Sequence, residues 1–322
     1  MSVKLNSLFR ERSPPREIVS KKKKKKRKKK RDTEEEGRVI SLLCLKEAID
    51  LKGLEWIQEN MDKIVKEERT KFSSYAEKME GKGYRLVAYS PVEHGKGRVY
   101  ADGALSLQSF SKKIRNTLAR GIYHDIDMVN AHPIILRGIC IQNDWPCVKL
   151  DHYIKHRERV LVEVMTRFEC KRGNAKVLML SLMYGGTVSA WIDRGKFKKA
   201  EYPQFIKEYT VELESIANGI FHKYEEIPIV TTRRPKFSKM SLLIQDIENQ
   251  ILMEMSNFFK LNGYEPAIYM FDGLMVYRKD QGKEGPINRS VLTSCQTHLK
   301  EVIGWSVSLE EKPIGEGFDI SK

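Results

Sequence analysis

The sequence predicts an α+β fold, and three observations lead there. Helical apolar periodicity recurs over several segments of ten or more residues, short apolar runs between glycines read as strands, and an aspartate-glycine pair between two apolar runs marks a hairpin. The chain has 322 residues, 41% of them hydrophobic, enough for one large core or two modest ones.

Residues 21–31, KKKKKKRKKKR, hold eleven cations and leave the rest of the chain near +4 of the formal +15. Such a run cannot bury apolar surface, so residues 1–37 read as a disordered polybasic tail. A solvated linker, a nuclear-import signal and an arm that binds phosphates without sequence preference all need only this charge density.

In residues 38–80, Leu42, Leu43, Leu45, Ile49, Leu54 and Ile57 run at helical spacing, which predicts one or two amphipathic helices forming an appendage. The β-containing body, 81–322, starts at Gly81 with GYRLVAYS and GRVYADG as short strands, followed by a helical LSLQSFSKKIRNTLARG. In GIYHDIDMVNAHPIILRGICI a strand runs through Asp127 and a helix begins at Asn130, a good N-cap residue with proline close behind. Helices are predicted over 151–170, 172–184, 203–225 and 241–261. AIYMFDGLMVYR then gives two strands around a tight turn at Asp272-Gly273. A helix over 289–303 and a strand over 305–309 close the pattern.

Several classes of function find no support. The five cysteines are scattered with no CxxC pair, so neither a disulfide frame nor a zinc knuckle is expected. His152 and His156 lie one helical turn apart, but the glutamate of HExxH is missing, so they read as surface or packing residues. There is no internal repeat, no GxxxxGK[ST] and no GxGxxG. The most apolar stretch, 175–184, interrupted by Lys176 and Ser181, is half of a bilayer crossing, and no secretory segment heads the chain. An intracellular protein without membrane attachment is expected.

Asp127 and Asp272 each stand at the edge of a short apolar strand, where a sheet can bring them side by side. Two such carboxylates suit divalent ions that serve in-line phosphoryl transfer, because hard magnesium takes a few carboxylates and completes its shell with phosphates. The plainer alternatives are a turn residue at Asp272 and a helix cap at Asp127. Asp125 competes with Asp127, since alternation puts both on one face of the strand.

KRGNAKVLMLSLMYGG, residues 171–186, places Arg172, Lys176, Leu180 and Tyr184 on one helix face, with Val177, Leu178 and Leu182 toward the core. Cations one turn apart suit an anion such as a triphosphate, with Leu180 and Tyr184 beyond it against sugar and base. The glycines after Tyr184 then let backbone or template approach. An ordinary amphipathic helix with a basic edge and a glycine C-cap fits the same pattern.

The spacing R-x3-K-x7-Y-G at Arg172, Lys176, Tyr184 and Gly185 resembles motif B of family A DNA polymerases and their single-subunit RNA polymerase relatives. DMVNAHP from Asp127 resembles motif A, and FDGLMV with Asp272 resembles motif C, in the required order. YHDIDMVNAHPIIL, LMYGG and IENQIL followed by FDGLMV are most similar to the divergent branch found in virophages and large DNA transposons, over about residues 84–309.

The resemblance implies a small polymerase palm, an antiparallel sheet, with helical fingers, and a DNA polymerase (nucleotidyltransferase) using two Mg2+ ions. It implies Asp127 and Asp272 as the metal ligands, Arg172 and Lys176 on the triphosphate, Lys176 also as proton donor to pyrophosphate, and Tyr184 with Leu180 beside sugar and base. Arg98, Gln108, Arg115 and Arg120 fall where template or primer phosphates are held, and Gln245 and Glu248 near the primer-template; a solvated face is the alternative for the first four. The implied partners are a DNA primer-template, deoxynucleoside triphosphates and a helicase, in the nucleus or a viral replication compartment. A catalytically silent nucleic-acid-binding module and an RNA polymerase or primase are the other readings.

The sequence departs from the family at four places. His132 replaces the motif A glutamate that helps exclude a ribose 2′-hydroxyl, Leu180 replaces an aromatic residue, and Phe271 and Gly273 replace the histidine and glutamate of motif C.

Overall fold

The structure is a computed structural model that describes residues 44–79, 82–91, 95–231, 233–279 and 285–320. The polybasic tail expected over 1–37 lies outside the described residues.

Strand β1 (Leu45–Ala48) is followed by helices α1 (Leu51–Glu59) and α2 (Lys66–Glu77), then by strands β2 (Tyr84–Val87), β3 (Tyr89–Pro91) and β4 (Val99–Ala101). Helix α3 (Lys112–Ala119) leads into strand β5 (Tyr123–Met128). A helical stretch then comprises α4 (Ala131–Gln142), α5 (Val148–Lys155), α6 (Arg157–Phe168), α7 (Arg172–Met183), α8 (Val188–Gly195), α9 (Gln204–Lys223) and α10 (Pro235–Leu261). Strands β6 (Pro266–Tyr269) and β7 (Gly273–Tyr277), helix α11 (Arg289–Ile303) and strand β8 (Leu309–Lys312) follow.

The central sheet is antiparallel, in the order β6-β7-β5-β8. β5 is interior, with Asp127 opposite Gly273 on β7 and Glu310 on β8. Residues on one side of the sheet, such as Ile126, Leu274 and Val276, are fully buried, and α10 packs on β6 and β7 while α11 packs on β8. On the other side Tyr123 and Met275 join a core with residues of α1, α2 and α3. Burial on both sides explains why β5 reads as YHDIDM with no exposed position.

That second core corrects the expected helical appendage over 38–80. Leu45–Ala48 is a strand paired with β2, and residues from Cys44 onward form one compact unit. The Tyr123 hydroxyl donates to the Ala48 carbonyl and accepts from the Ala48 N–H, both at 2.7 Å. Buried Glu47 accepts from the Tyr75 hydroxyl at 2.7 Å, the Ser106 hydroxyl at 2.6 Å and the Leu107 N–H at 3.0 Å. Apolar spacing at Leu45 and Ile49 suits a helix turn or a strand edge equally well, and tertiary pairing decided for the strand.

Other elements differ in their bounds. The helix expected over 151–170 breaks at His156, α8 was not anticipated, α10 begins at Pro235 with its proline at the helix start, and the last strand is Leu309–Lys312 rather than 305–309.

Candidate active site

Asp127 is the penultimate residue of β5, and Asp272 immediately precedes β7 on the neighbouring strand. The Met128 N–H donates to the Asp272 carbonyl at 2.7 Å, which holds the two aspartates at the same end of adjacent strands. The turn before β7 is closed by Met270 N–H to the Gly273 carbonyl at 2.8 Å, and its left-handed residue is Phe271, φ 68°. Gly273 is therefore a strand residue, correcting the expected Asp272-Gly273 turn. A Cβ on Gly273 would overlap Asp127 Oδ1 and the Ile126 carbonyl oxygen. Glycine is required by close approach of β5 rather than by turn conformation.

Asp127 does not cap α4 either. Asn130 takes the cap position, in a left-handed conformation (φ 54°) and with no side-chain capping bond. Asp127 is 6% exposed, and its Oδ2 pairs with Lys312 Nζ from β8. Asp125 lies on the same side of β5. Its carboxyl is pushed up by burial, pulled back by Arg115 and Lys312, and pushed up again by Asp272, and its Oδ1 is buried without a hydrogen bond. Burial also pushes the Asp272 carboxyl up, and the negative charge of Glu248 adds to it.

These crowded carboxylates form a hard-oxygen donor set suited to a divalent cation, which would relieve the cost of keeping Asp272 ionised. Among the described residues no group of three His, Cys, Asp or Glu side chains is arranged to hold a metal ion by itself, so substrate or solvent oxygens complete any such shell.

Beside the aspartates lies a buried polar cluster. Arg98 binds Glu248 through Nε (2.5 Å) and Nη2 (3.1 Å), and its guanidinium lies over the Phe271 ring, 4.9 Å from the centroid. His132 Nε2 is 2.7 Å from Glu248 Oε1, and its Nδ1 meets the Tyr184 hydroxyl. With a neutral ring, one proton assignment satisfies both contacts: His132 Nε2–H donates to Glu248, and the Tyr184 O–H donates to Nδ1. Arg98 Nη2 also lies 3.0 Å from His132 Nε2, but both are then donors and this contact is no hydrogen bond. Burial pushes the Glu248 carboxyl up, yet the bonds from His132 and Arg98 outweigh it and hold the carboxyl below its ordinary range. Burial and the Glu248 charge keep the Tyr184 phenol protonated.

This arrangement corrects several readings. Glu248 is 0% exposed and cannot touch a primer-template. Gln108 is buried and saturated by backbone: Oε1 accepts from Ala101 N–H (3.0 Å), and Nε2 donates to the carbonyls of Val99 (3.2 Å) and Tyr269 (2.9 Å). It clamps β4 to β6 rather than nucleic acid. Arg115 is half-buried against Asp125 and donates to the Phe110 carbonyl, whereas Arg120 is exposed after α3.

Helix α7 carries the expected four residues. Arg172 is exposed at its start and forks onto Glu158 of α6 at 2.9 and 2.5 Å, so a carboxylate already answers one of the two cations. Lys176 is exposed, Leu180 half-buried, and Val177 turns outward at 52% exposure, not into the core. The structure brings Tyr184 to His132 at one end of α7 and leaves Arg172 at the other, roughly 18 Å away along the axis. Gly185 has φ 73°, and a Cβ there would overlap the Phe237 ring of α10, so this glycine admits a protein side chain rather than a template. His152 and His156 pack with ring centroids 4.7 Å apart, and His152 also meets Phe205.

A cleft of about 690 Å³ opens beside Tyr184, lined by Arg98, Tyr100 and Gln245 among others. Gln245 there donates to the Ser241 hydroxyl at 3.0 Å. Sequence reading missed three arginines on this cleft, Arg194, Arg233 and Arg234. The available signal was the TTRRP run, two adjacent cations just before a helix-starting proline.

Comparison with solved structures gives the DNA polymerase POL domain of Pol1 from M. smegmatis, in complex with DNA primer-template and dNTP, at a TM-score of 0.51 and 11% identity. The fold resembles a DNA polymerase domain. The likeness covers 82% of this chain and 55% of that one. No protein-family model matches the chain. In sequence the chain is 32% identical over 300 residues to a protein of Sputnik virophage named "Putative helicase V13". The matched region is 87% of this chain but 38% of that relative, so the chain spans well under half of the virophage protein.

Proposed function

We propose that this protein is a template-directed nucleotidyltransferase, a DNA polymerase that uses two divalent metal ions, in the replication of a virus or mobile element. The observation that supports this most is the juxtaposition of Asp127 and Asp272 through the Met128–Asp272 backbone bond on a polymerase-like sheet. Asp127 and Asp272 would hold magnesium ions, which supply activation of an attacking hydroxyl and charge neutralisation on the leaving oxygens. Lys176 and Arg172, on the exposed face of α7, bind the incoming triphosphate, and Lys176 donates a proton to departing pyrophosphate. Tyr184, held by His132, orients the nucleotide's sugar and base, with Leu180 one turn before it. The helical stretch from α6 to α9 serves as fingers, and a helicase acts alongside in the nucleus or a viral replication compartment.

Primer extension with Asp127→Asn and Asp272→Asn tests the assignment. Each variant loses on the order of a hundredfold or more in rate, equivalent to about 3 kcal/mol of transition-state stabilisation. Wild-type activity in either variant sinks the role of that aspartate. Parallel reactions with ribo- and deoxynucleotides decide whether His132 goes with DNA or RNA synthesis.

The Lys312–Asp127 pair favours one second reading, a catalytically silent polymerase-like protein that binds nucleic acid, because an ammonium already matches the Asp127 carboxylate. Magnesium-dependent extension by the purified protein excludes it.

A further inference from the structure

Lys312 and Asp125 remain unexplained once Asp127 and Asp272 are read as metal ligands. In the β5–β8 ladder Lys312 stands directly opposite Asp125, and Asp127 is its diagonal neighbour two residues along β5. All three side chains leave the sheet on one side, where directly opposite Cβ atoms are about 5 Å apart and diagonal ones roughly 7 Å, so a single lysine stem reaches either carboxylate. The ammonium rests on the diagonal partner, Asp127 Oδ2.

Asp125, the partner in register, is left incomplete. Its Oδ1 is buried with no hydrogen bond, and among the described residues its carboxylate takes part in no ion pair. Arg115 of α3 is close, but its Nη1 donates to the Phe110 carbonyl and its Nε is also without a partner. A buried carboxylate oxygen that lacks a donor is costly, and an ammonium with three donors stands one rotamer change away. Lys312 is 49% exposed against 9% for Asp127, so its stem can move while the carboxylates stay fixed. Glu310, opposite Asp127 on the same side, is exposed and served by water, which leaves Asp125 as the acceptor that gains most.

We propose that Lys312 is a tethered cation shared between two carboxylates: it occupies Asp127 in the metal-free protein, yields that carboxylate to a divalent ion, and crosses to Asp125. The exchange gives Lys312 a counter-charge in both states and sets the metal concentration at which Asp127 is released. An ammonium on Asp127 is then one state of a working protein rather than the mark of a silent one. Lys312 and Asp125 are positioning residues, and their role rests on the reading of Asp127 as a metal ligand.

The test uses the full chain with Mn2+ as the probe ion, free Mn2+ being read by electron paramagnetic resonance without nucleotide or nucleic acid. Lys312→Met tightens Mn2+ binding about fivefold, the factor for losing a half-exposed ion pair that competes for the site. Asp125→Asn weakens it by roughly the same factor, because the displaced ammonium has no acceptor. Removing a lysine's charge tightens binding through space in any case, so the double variant decides. With the exchange, Lys312→Met combined with Asp125→Asn binds Mn2+ within about twofold of Lys312→Met alone. Independent charge effects instead return the double variant to the wild-type affinity and overturn the proposal. An unchanged affinity in Lys312→Met overturns it as well, as does coupling of Lys312 to Glu310→Gln in place of Asp125→Asn. Melting curves show that each variant is folded, with Asp125→Ser taking the place of Asp125→Asn in the cycle if the amide is not tolerated. If the cycle couples while wild-type protein extends no primer, the polymerase reading fails and the lysine's role stands. If primers are extended and Lys312→Met binds Mn2+ like wild type, the lysine's role fails and the polymerase reading stands.

Discussion

Gly273 and Glu248 are the residues on which the site's geometry turns. Gly273→Ala forces a methyl group into Asp127 Oδ1 and the Ile126 carbonyl, so the β5–β7 ladder must part next to both aspartates. Overpacking of this kind costs about 1–3 kcal/mol, read as a lower urea midpoint, and primer extension is lost with it. Glu248 bears on pH. Its folded carboxyl lies below the ordinary range, so the stability it contributes is complete above that range and disappears as pH falls through the lower, folded value. In Glu248→Gln the melting temperature therefore falls less steeply toward acid, although the variant starts about 3 kcal/mol less stable because Arg98 loses its buried counter-charge. The placement of both aspartates at strand ends was legible in sequence because each adjoins an apolar strand run. The purpose of Gly273 was not, because a neighbouring strand's approach leaves no local trace. Gln108 misled for a similar reason: its three backbone partners come from Val99, Ala101 and Tyr269, the last of them 161 positions away.

At the scale of elements, α7 separates two roles for its first cation. Arg172 is exposed and its pair with Glu158 is a surface pair, so Arg172→Ala leaves the melting temperature unchanged. If the residue binds the triphosphate, the same variant raises the apparent KM for nucleotide by roughly tenfold, the worth of one charged hydrogen-bonded contact. Steady-state extension kinetics beside a melting curve separate the two roles. Long periodic helices and the β6–β7 hairpin were visible from pattern alone. The misses were short elements: β1, whose four residues fit two periods, and α8, eight residues behind two glycines. β8 escaped because LEEK is mostly charged, as befits a strand at the sheet's edge.

For the whole molecule, the helices before residue 80 belong to the fold that carries the aspartates. Phe72, Tyr75 and Met79 share a core with Tyr123, Ile268 and Met275. A chain truncated to begin at residue 82 leaves that side of the sheet uncovered and gives no cooperative thermal transition by circular dichroism. Sequence reading detached this segment because a sharp change of pattern at Gly81 resembles a boundary, while the contacts that erase it are all long-range.

The placement of β5 between β7 and β8 also has a consequence in time. His124 bonds Glu311 at 2.6 Å across 187 positions, and both partners of β5 come from the last third of the chain. At the usual pace of ribosomes, about 5–20 residues per second, β5 waits roughly 7–30 s after its own synthesis before β7, the first of its two neighbours, exists. During that interval YHDIDM emerges as an unpaired strand, so the nascent protein has both edges of its future centre open to whatever else is being made nearby.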